Sequence, residues 1–291
     1  MELKYVIQKS DKSIKQILKN KFNMSDRFIL KLKNQKAIFL NSVSVSINTK
    51  ILENDVLEII ENFEEDSSNI VSNENINLNI LFEDAFLLIV DKPAGIPVHP
   101  SILHYEDSLS NGVKYYFEKI ELKKKIRPVN RLDKDTSGIV VFAKNEYIQE
   151  CLVRQMKSGD FKKTYVAVLD GILEEDFGTI NASISRKKDS IIEREISSDG
   201  EIAVSHFKVL NRTNNMTVVQ YTLETGRTHQ LRVHSKYIGH PIIGDSLYGK
   251  SSELISRQAL HAAKVEFIHP ISKENLIITS DCPNDIKQIL S

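Results

Sequence analysis

Short apolar runs rich in β-branched residues dominate the chain after residue 80. They are LLIV, GIVVFA, TYVAVL, TVVQYTL, KVEFI and LIIT. Runs of this length and composition, bounded by polar residues, are typical of strands. Helical patterns between them are fewer, and strict alternation of strand and helix is absent. The pattern therefore predicts an α+β domain with a mixed, largely antiparallel sheet.

The first 63 residues have a different pattern. Apolar residues recur at helical spacing from Ile14 to Phe22, and Ser25 is a candidate N-cap for a second helix. Three short β-like runs follow: AIFLN, SVSVSI and DVLEII. We therefore expect a small N-terminal α/β domain over residues 1–63, a polar linker over 64–79 and a larger domain over 80–291.

Charge is distributed unevenly along the chain. The 39 Lys and Arg residues balance the 39 Asp and Glu residues. Residues 1–50 nevertheless carry 11 basic and 3 acidic side chains, whereas residues 51–90 carry 10 acidic and no basic ones. A net charge of zero argues against general polyanion binding. The distribution of charge along the chain, however, predicts a basic N-terminal lobe followed by an acidic connector.

Several classes of protein are disfavoured by what the sequence lacks. No run approaches the roughly 18 apolar residues of a membrane span, and the start lacks the layout of a signal peptide, so we expect a cytoplasmic location. Cys151 and Cys282 lie far apart without a neighbouring CxxC or Cys/His cluster. Neither a disulfide framework nor a zinc site is predicted.

The densest cluster of polar residues runs from Asn130 to Gly138 (NRLDKDTSG), just before an apolar run. A polar loop at the start of a strand suits a catalytic carboxylate, and Asp133 is the candidate. The alternative is that Asp, Thr, Ser and Gly simply form a turn.

A second cluster runs from Gly226 to His234 (GRTHQLRVH). Thr228 is a candidate cap for a helix with Leu231, Tyr237 and Ile238 on its apolar side. Arg227 then lies at the junction, free to reach inward. His229 and His234 are five residues apart, whereas metal ligands on a helix are three or four apart. A structural role is therefore favoured for both histidines, and no metal is predicted.

Two further segments flank these clusters. Tyr165 lies in an alternating run, KKTYVAVL, where a tyrosine is more often a core residue than a site residue. A helix is predicted from the N-cap Asn145 to the C-terminal stop Gly159.

The order of motifs resembles the RluA-type RNA pseudouridine synthases from about residue 80 to the C-terminus. The resemblance rests on seven segments: DKPAGIPVHP, RLDKDTSG, KKTYVAV, GEIAVSHFKVL, GRTHQLRVH, GHPIIGDSLYG and LHAAKVEFIHP. The first 60 residues resemble the small RNA-binding domain shared with a ribosomal small-subunit protein, although Asn41-Ser42 stands where Asn-Gly is usual. Asn130 also departs from the family, in which many members have His before Arg-Leu-Asp, and we expect this difference to alter loop contacts rather than abolish activity.

The resemblance implies a mechanism without cofactor or metal. Asp133 would be the nucleophile, attacking either the base or the sugar, and Arg227 would pair with it and favour its ionised form. Tyr165 would stack on the target base. Its phenol would be placed to help remove the proton from carbon 5. The implied substrate-binding residues are Arg131, Leu231 and Asn130.

The resemblance also implies RNA as the partner, with large-subunit rRNA preferred and tRNA as the alternative. Candidate contacts to RNA phosphates are Lys15, Lys19, Arg27, Lys31 and Lys33. Two other functions remain as alternatives: a non-catalytic RNA-binding factor for ribosome assembly, and a carboxylate-dependent hydrolase. The hydrolase needs a second acid, and Asp135, the nearest one, is expected to point outward.

Overall fold

The computed structural model describes residues 1–65, 67–213 and 215–290. The N-terminal unit contains helices α1 (Ile14–Asn20) and α2 (Asp26–Asn34). Its antiparallel sheet has the order β1-β4-β2-β3 and comprises β1 (Glu2–Val6), β2 (Ile38–Leu40), β3 (Val43–Ser44) and β4 (Val56–Ile60). The predicted cap is confirmed, because the Ser25 side chain accepts from the Phe28 amide at 3.1 Å. Strand β1 was not predicted, since no residue in it is fully buried.

A nine-stranded sheet forms the larger part of the protein. Eight strands follow the order β5-β6-β7-β14-β8-β13-β12-β9, and β15 pairs with β14. Among the described strand pairs of this sheet, β7 with β14 is parallel and the others are antiparallel. The predicted mixed, largely antiparallel sheet is therefore confirmed. The strands are β5 (Asn79–Glu83), β6 (Leu87–Lys92), β7 (Ser137–Ala143), β8 (Lys162–Asp170), β9 (Phe177–Asn181), β12 (Val204–Thr213), β13 (Met216–Leu223), β14 (Leu260–Ile268) and β15 (Asn275–Thr279).

Four helices and a small hairpin surround this sheet. The hairpin pairs β10 (Ile184–Arg186) with β11 (Arg194–Ile196). The helices are α3 (Leu109–Lys119), α4 (Glu146–Ser158), α5 (Gln230–Tyr237) and α6 (Asn284–Leu290). No helix in the described ranges is both long enough and apolar enough to cross a membrane.

The predicted limits of α4 are confirmed. The Asn145 side chain accepts a hydrogen bond from the Ile148 amide at 2.9 Å, which satisfies one free N–H of the first turn. Gly159 ends the helix in the left-handed conformation, with φ 82°.

The N-terminal unit packs directly on α4. The ring of Phe28 stacks on Tyr147 with centroids 5.8 Å apart, and the Tyr147 hydroxyl donates to the Phe22 carbonyl at 3.0 Å. The Ser25 hydroxyl donates to Glu150 at 2.7 Å. Buried apolar residues of both units belong to one continuous core. The two units are therefore joined through a hydrophobic interface as well as through the chain.

The predicted polar linker, residues 64–79, packs against the larger unit at its described residues. Glu65 accepts hydrogen bonds from Arg127 at 2.7 and 2.8 Å and from Lys31 at 2.7 Å. Ile70 is buried, and a Cβ at Gly112 would lie 2.7 Å from the Ile76 side chain. This segment, which the sequence predicts as a linker, thus connects the two units and also contributes to the core.

Candidate active site

The parallel pairing of β7 with β14 brings two loops together. The Asn130–Thr136 loop enters β7, and the 257–259 segment enters β14 at the same end of the sheet. Gly138 permits this approach: its φ is 115°, and a Cβ there would lie 2.3 Å from the Ala262 carbonyl oxygen. The polar loop predicted from the sequence is therefore positioned beside β14, which the sequence pattern did not link to it.

Two buried basic side chains hold the backbone of this loop. The Lys92 ammonium donates to the carbonyls of Pro93, Ile96 and Lys134, each at 2.8 Å. Burial lowers the pKa of Lys92 to about 7, although the nearby charge of Asp135 opposes that change. The Arg257 guanidinium donates to the Asp135 carbonyl at 3.1 Å. Consecutive carbonyls after Asp133 are thus fixed from two sides.

Arg257 is itself held by the C-terminal helix. Its Nε and Nη2 donate to the two oxygens of Asp285, on α6, at 2.7 and 2.9 Å. This bidentate geometry is the most specific arrangement an arginine and a carboxylate adopt. The C-terminal helix therefore contributes, through Arg257, to the position of the Asp133 loop.

Asp133 faces an arginine on α5. The Arg232 Nη1 donates to Asp133 Oδ2 at 3.1 Å, while its Nε and Nη2 donate to the buried Asp245 at 2.7 and 2.8 Å. Burial acts to lower the pKa of Arg232, but the hydrogen bonds and charges of Asp245 and Asp133 raise it above its ordinary value. Arg232 is thus a permanent cation that Asp245 orients toward Asp133.

The predicted ion pair between Asp133 and Arg227 is wrong. Arg227 forms an ion pair with Glu201 at 2.8 Å and donates to the Ile202 carbonyl at 3.0 Å. The reason is local: His229 has φ 57°, so the chain turns sharply just before α5. Arg227 precedes the turn and points away from Asp133, whereas Arg232 follows it and points toward Asp133.

The predicted cap of this helix is also wrong. The N-cap is His229 rather than Thr228, and its side chain makes no capping bond. The Gln230 side chain stabilises the junction instead: its oxygen accepts from the Arg227 amide at 2.9 Å and from the Thr225 hydroxyl at 2.8 Å. Tyr237, predicted on the apolar side, is 60% exposed.

A cleft of about 660 Å³ opens in front of Asp133, a size typical of small-ligand sites. Tyr165 and Leu231 are buried in its wall, and Tyr165 pairs with Ala262 of β14. Burial, and secondarily the charge of Asp133, raise the pKa of Tyr165 above its ordinary value, so this phenol is neutral. Asp135 does not line the cleft.

The chain is similar to known proteins over most of its length. A family model described as RNA pseudouridylate synthase matches residues 86–237, just over half of the chain. YhcT of Bacillus subtilis, named an RNA pseudouridine synthase, is 39% identical over 275 residues, which cover 94% of this chain and 90% of that protein. The chain belongs to the RNA pseudouridylate synthase family. The predicted RluA-type membership is thereby confirmed, and the enzyme is an isomerase.

One further sequence relative and one solved structure are also similar to the chain. Ribosomal large subunit pseudouridine synthase D of Xanthomonas campestris is 36% identical over 75% of this chain and 70% of its own length. Among solved structures, human RNA pseudouridylate synthase domain containing 1 aligns with a TM-score of 0.59 and 26% identity. That alignment covers 75% of this chain and 86% of the human chain.

The other predicted substrate residues of the synthase also line the cleft. Arg131 is exposed at its edge, next to Asp133. Asn130 is buried: its amide donates to the Ile139 carbonyl at 3.0 Å and accepts from the Val141 amide at 2.9 Å. Asn130 therefore ties the loop to β7. Altered loop contacts were expected here, because Asn stands in place of the usual His.

The five predicted RNA-binding cations of the synthase occupy different environments. Arg27 pairs with Glu146 at 3.2 Å, and Lys31 contacts both Glu146 and Glu65. Lys19 pairs with Asp26 at 2.6 Å. Lys15 and Lys33 are exposed, and neither forms an ion pair with another described residue. The interface between the two units thus takes up Lys31, whereas the Arg27 side chain stays 85% exposed.

Sequence reasoning missed four residues near the Asp133 carboxylate. Arg232 and Asp245 were present in quoted motifs but received no role, and His229 was considered only as a metal ligand. Lys163 also lines the cleft, and burial lowers the pKa of its amine. The signal that could have found them is the density of charged residues inside apolar motifs, since buried charges require partners.

Proposed function

We propose that this synthase converts specific uridines of large-subunit rRNA to pseudouridine in the cytoplasm, with Asp133 as the nucleophile. The observation that carries the proposal is the position of the Asp133 carboxylate. It lies 3.1 Å from the Arg232 guanidinium and opens into a cleft whose wall contains Tyr165. A paired carboxylate beside an aromatic wall suits a reaction on a flat base attached to a sugar.

The reaction is an isomerisation, so no atom is gained or lost overall. The bond between N1 of uracil and C1′ of the ribose breaks, the base rotates, and C5 forms the new bond to C1′. The proton on C5 leaves and one is added at N1. An anionic carboxylate is required whether it attacks the base or the sugar, and Arg232 favours that anion.

Tyr165 fits the stacking role better than the role of base. A neutral phenol whose pKa is raised is a poor acceptor for the C5 proton. Its ring, however, offers a flat apolar face to the detached uracil. Leu231 adds an apolar surface that excludes water from the intermediate.

The target uridine must leave its helix or loop stack to reach Asp133, at a cost of a few kcal/mol. Arg131, exposed at the edge of the cleft, is placed to hold the RNA from which the base has turned out. Lys163 supplies a second positive charge on the cleft wall, suitable for a phosphate of the same strand.

The N-terminal unit would bind the surrounding RNA. Lys15, Arg27 and Lys33 are exposed cations suited to phosphate contacts, while Lys31 pairs with Glu65 and with Glu146 of α4. Binding should therefore weaken with rising salt, and Lys15→Ala with Lys33→Ala should reduce the slope. Deletion of the unit is a poor test, because it would expose the apolar surface around Tyr147.

The choice of large-subunit rRNA rests on the names of relatives such as the Xanthomonas campestris enzyme. The experiment incubates purified wild type and Asp133→Asn with total RNA from a strain lacking this gene. Pseudouridine is then mapped by carbodiimide-dependent stops of reverse transcription.

The expected result is that wild type restores discrete stops in large-subunit rRNA and Asp133→Asn restores none. Stops confined to tRNA would replace the rRNA substrate with tRNA. If both proteins restore the same stops, Asp133 is not the nucleophile. If neither restores any, a non-catalytic role in ribosome assembly replaces catalysis.

A further inference from the structure

His229 lies on the wall of the cleft beside the reacting carboxylate. Its Nε2 is 3.9 Å from Asp133 Oδ2, and its side chain is 13% exposed. Its backbone has φ 57°, a left-handed conformation that is uncommon for residues other than glycine. Such backbone strain is often retained at functional sites, where it fixes the direction of a side chain.

A tyrosine determines which nitrogen of His229 carries the hydrogen. The Nδ1 lies 2.8 Å from the Tyr248 hydroxyl, and the same hydroxyl accepts from the Arg194 amide at 2.8 Å. Within the described part of the chain, the Tyr248 hydroxyl has no other acceptor, so its own hydrogen points to Nδ1. This network assigns the hydrogen of His229 to Nε2, which faces Asp133.

The imidazole is neutral rather than a counter-ion. Burial lowers the pKa of His229 below its ordinary value, although the charge of Asp133 opposes the change. Arg232 already supplies the permanent cation on Oδ2 of Asp133, at 3.1 Å. His229 therefore presents a neutral N–H donor, and Asp133 presents an acceptor, across a gap of 3.9 Å.

This gap is too long for a direct hydrogen bond but accommodates one oxygen at about 2.8 Å from each side. The oxygen must accept from Nε2–H and donate to the carboxylate, which a carbonyl cannot do and a hydroxyl can. Within an RNA strand, the 3′ and 5′ oxygens are esterified, so the free hydroxyl of an internal nucleotide is the 2′-OH. It is attached to the carbon next to C1′, where the glycosidic bond breaks.

We propose that His229 and Asp133 together bind the 2′-hydroxyl of the target uridine. The inference rests on the proposed function, since it needs uridine in this cleft. It makes His229 a substrate-binding residue that holds C1′ against the nucleophile, with Tyr248 as the residue that positions it. It also provides a basis for choosing RNA over DNA, because the 2′-OH both donates and accepts.

The test uses a short RNA hairpin containing one uridine that the wild-type enzyme converts, and the same hairpin with 2′-deoxyuridine at that position. Single-turnover rates and dissociation constants are measured for wild type, His229→Ala and His229→Gln. His240→Ala is the matched control, because His240 lies outside the cleft and bonds the Asp170 carbonyl. Melting temperatures establish that the variants are folded.

We expect the deoxy substitution to slow wild type about 10- to 100-fold, the effect of one lost hydrogen bond to a charged group. His229→Ala should slow the uridine hairpin by a similar factor and show almost no further loss on the deoxy hairpin. His229→Gln, which keeps a donor, should recover part of the rate, and His240→Ala should match wild type. Where the deoxy hairpin turns over too slowly to time, the dissociation constants of the two hairpins give the same comparison.

Two results would overturn the inference while leaving the proposed function intact. One is equal slowing of both hairpins by His229→Ala, which indicates a structural role. The other is an unchanged rate on the uridine hairpin. If wild type converts no uridine in any RNA, the proposed function fails, and the binding role of His229 fails with it.

Discussion

Glu65 is the clearest test of how the two units are held together. Its side chain is 7% exposed, and its oxygens accept two hydrogen bonds from Arg127 of the larger unit and one from Lys31 of α2. Burial acts to raise the pKa of Glu65, but the bonds and charges of Arg127 and Lys31 outweigh it and lower the pKa to about 2. We predict that Glu65→Gln destabilises the protein in a pH-dependent way.

The expected loss of stability follows from the difference in the pKa of Glu65 between the folded and the unfolded chain. A change from the ordinary value of 4.5 to about 2 corresponds to about 3 kcal/mol at 1.36 kcal/mol per unit, which we reduce to about 2 kcal/mol because Lys31 is 29% exposed. Since the folded pKa is the lower one, this stabilisation is fully present above pH about 4.5. It is lost as the pH falls from about 4.5 towards about 2.

The measurement is the free energy of unfolding in urea between pH 7 and pH 3 for wild type, Glu65→Gln and Glu64→Gln. Glu64 is the matched control, because its partner is Lys123 and the two side chains are 72% and 68% exposed. An exposed pair contributes at most about 1 kcal/mol, so Glu64→Gln should change little. Glu65 does not stabilise the protein through these ion pairs if Glu65→Gln costs no more than Glu64→Gln at pH 7, or if its cost is the same at pH 3 as at pH 7.

Three further predictions concern the Asp133 loop. Arg232→Lys should lower kcat at least about 100-fold, because an ammonium cannot bind both Asp133 and Asp245. Arg227→Lys should alter chiefly KM, because Arg227 pairs with Glu201 instead. Steady-state kinetics of both variants test this difference, and equal effects on kcat would contradict the ion pair between Asp133 and Arg232. Asp285→Asn should weaken the hold on Arg257 and lower kcat with little change in KM, and an unchanged kcat would remove α6 from the catalytic support. Asn130→Ala should lower the free energy of unfolding by about 2 kcal/mol through its two lost bonds to β7, measured by denaturant titration, and a loss below about 0.5 kcal/mol would contradict that role.

The sequence by itself determined the parts of the protein that depend on local pattern. Alternating and continuous apolar runs predict six of the strands in the large sheet, because burial of one or both faces leaves a periodic trace. The limits of α4 follow from Asn145 and Gly159, whose side chain and backbone act within a few residues. The family follows from the order of motifs, and Asp133 stands within the most polar of them.

The tertiary structure alone decided which groups surround Asp133. Arg232 lies 99 residues away along the chain, and its direction depends on the left-handed turn at His229, which leaves no periodic trace in the sequence. Arg257 reaches the Asp133 loop because β7 and β14 run parallel, a pairing of distant segments. The charge of Lys31 predicted a contact with RNA, yet Lys31 is partly buried against α4 and pairs with Glu65 and Glu146 of the same chain. A sequence shows which charges exist, and only packing determines which of them meet, because that depends on contacts between residues far apart in the chain.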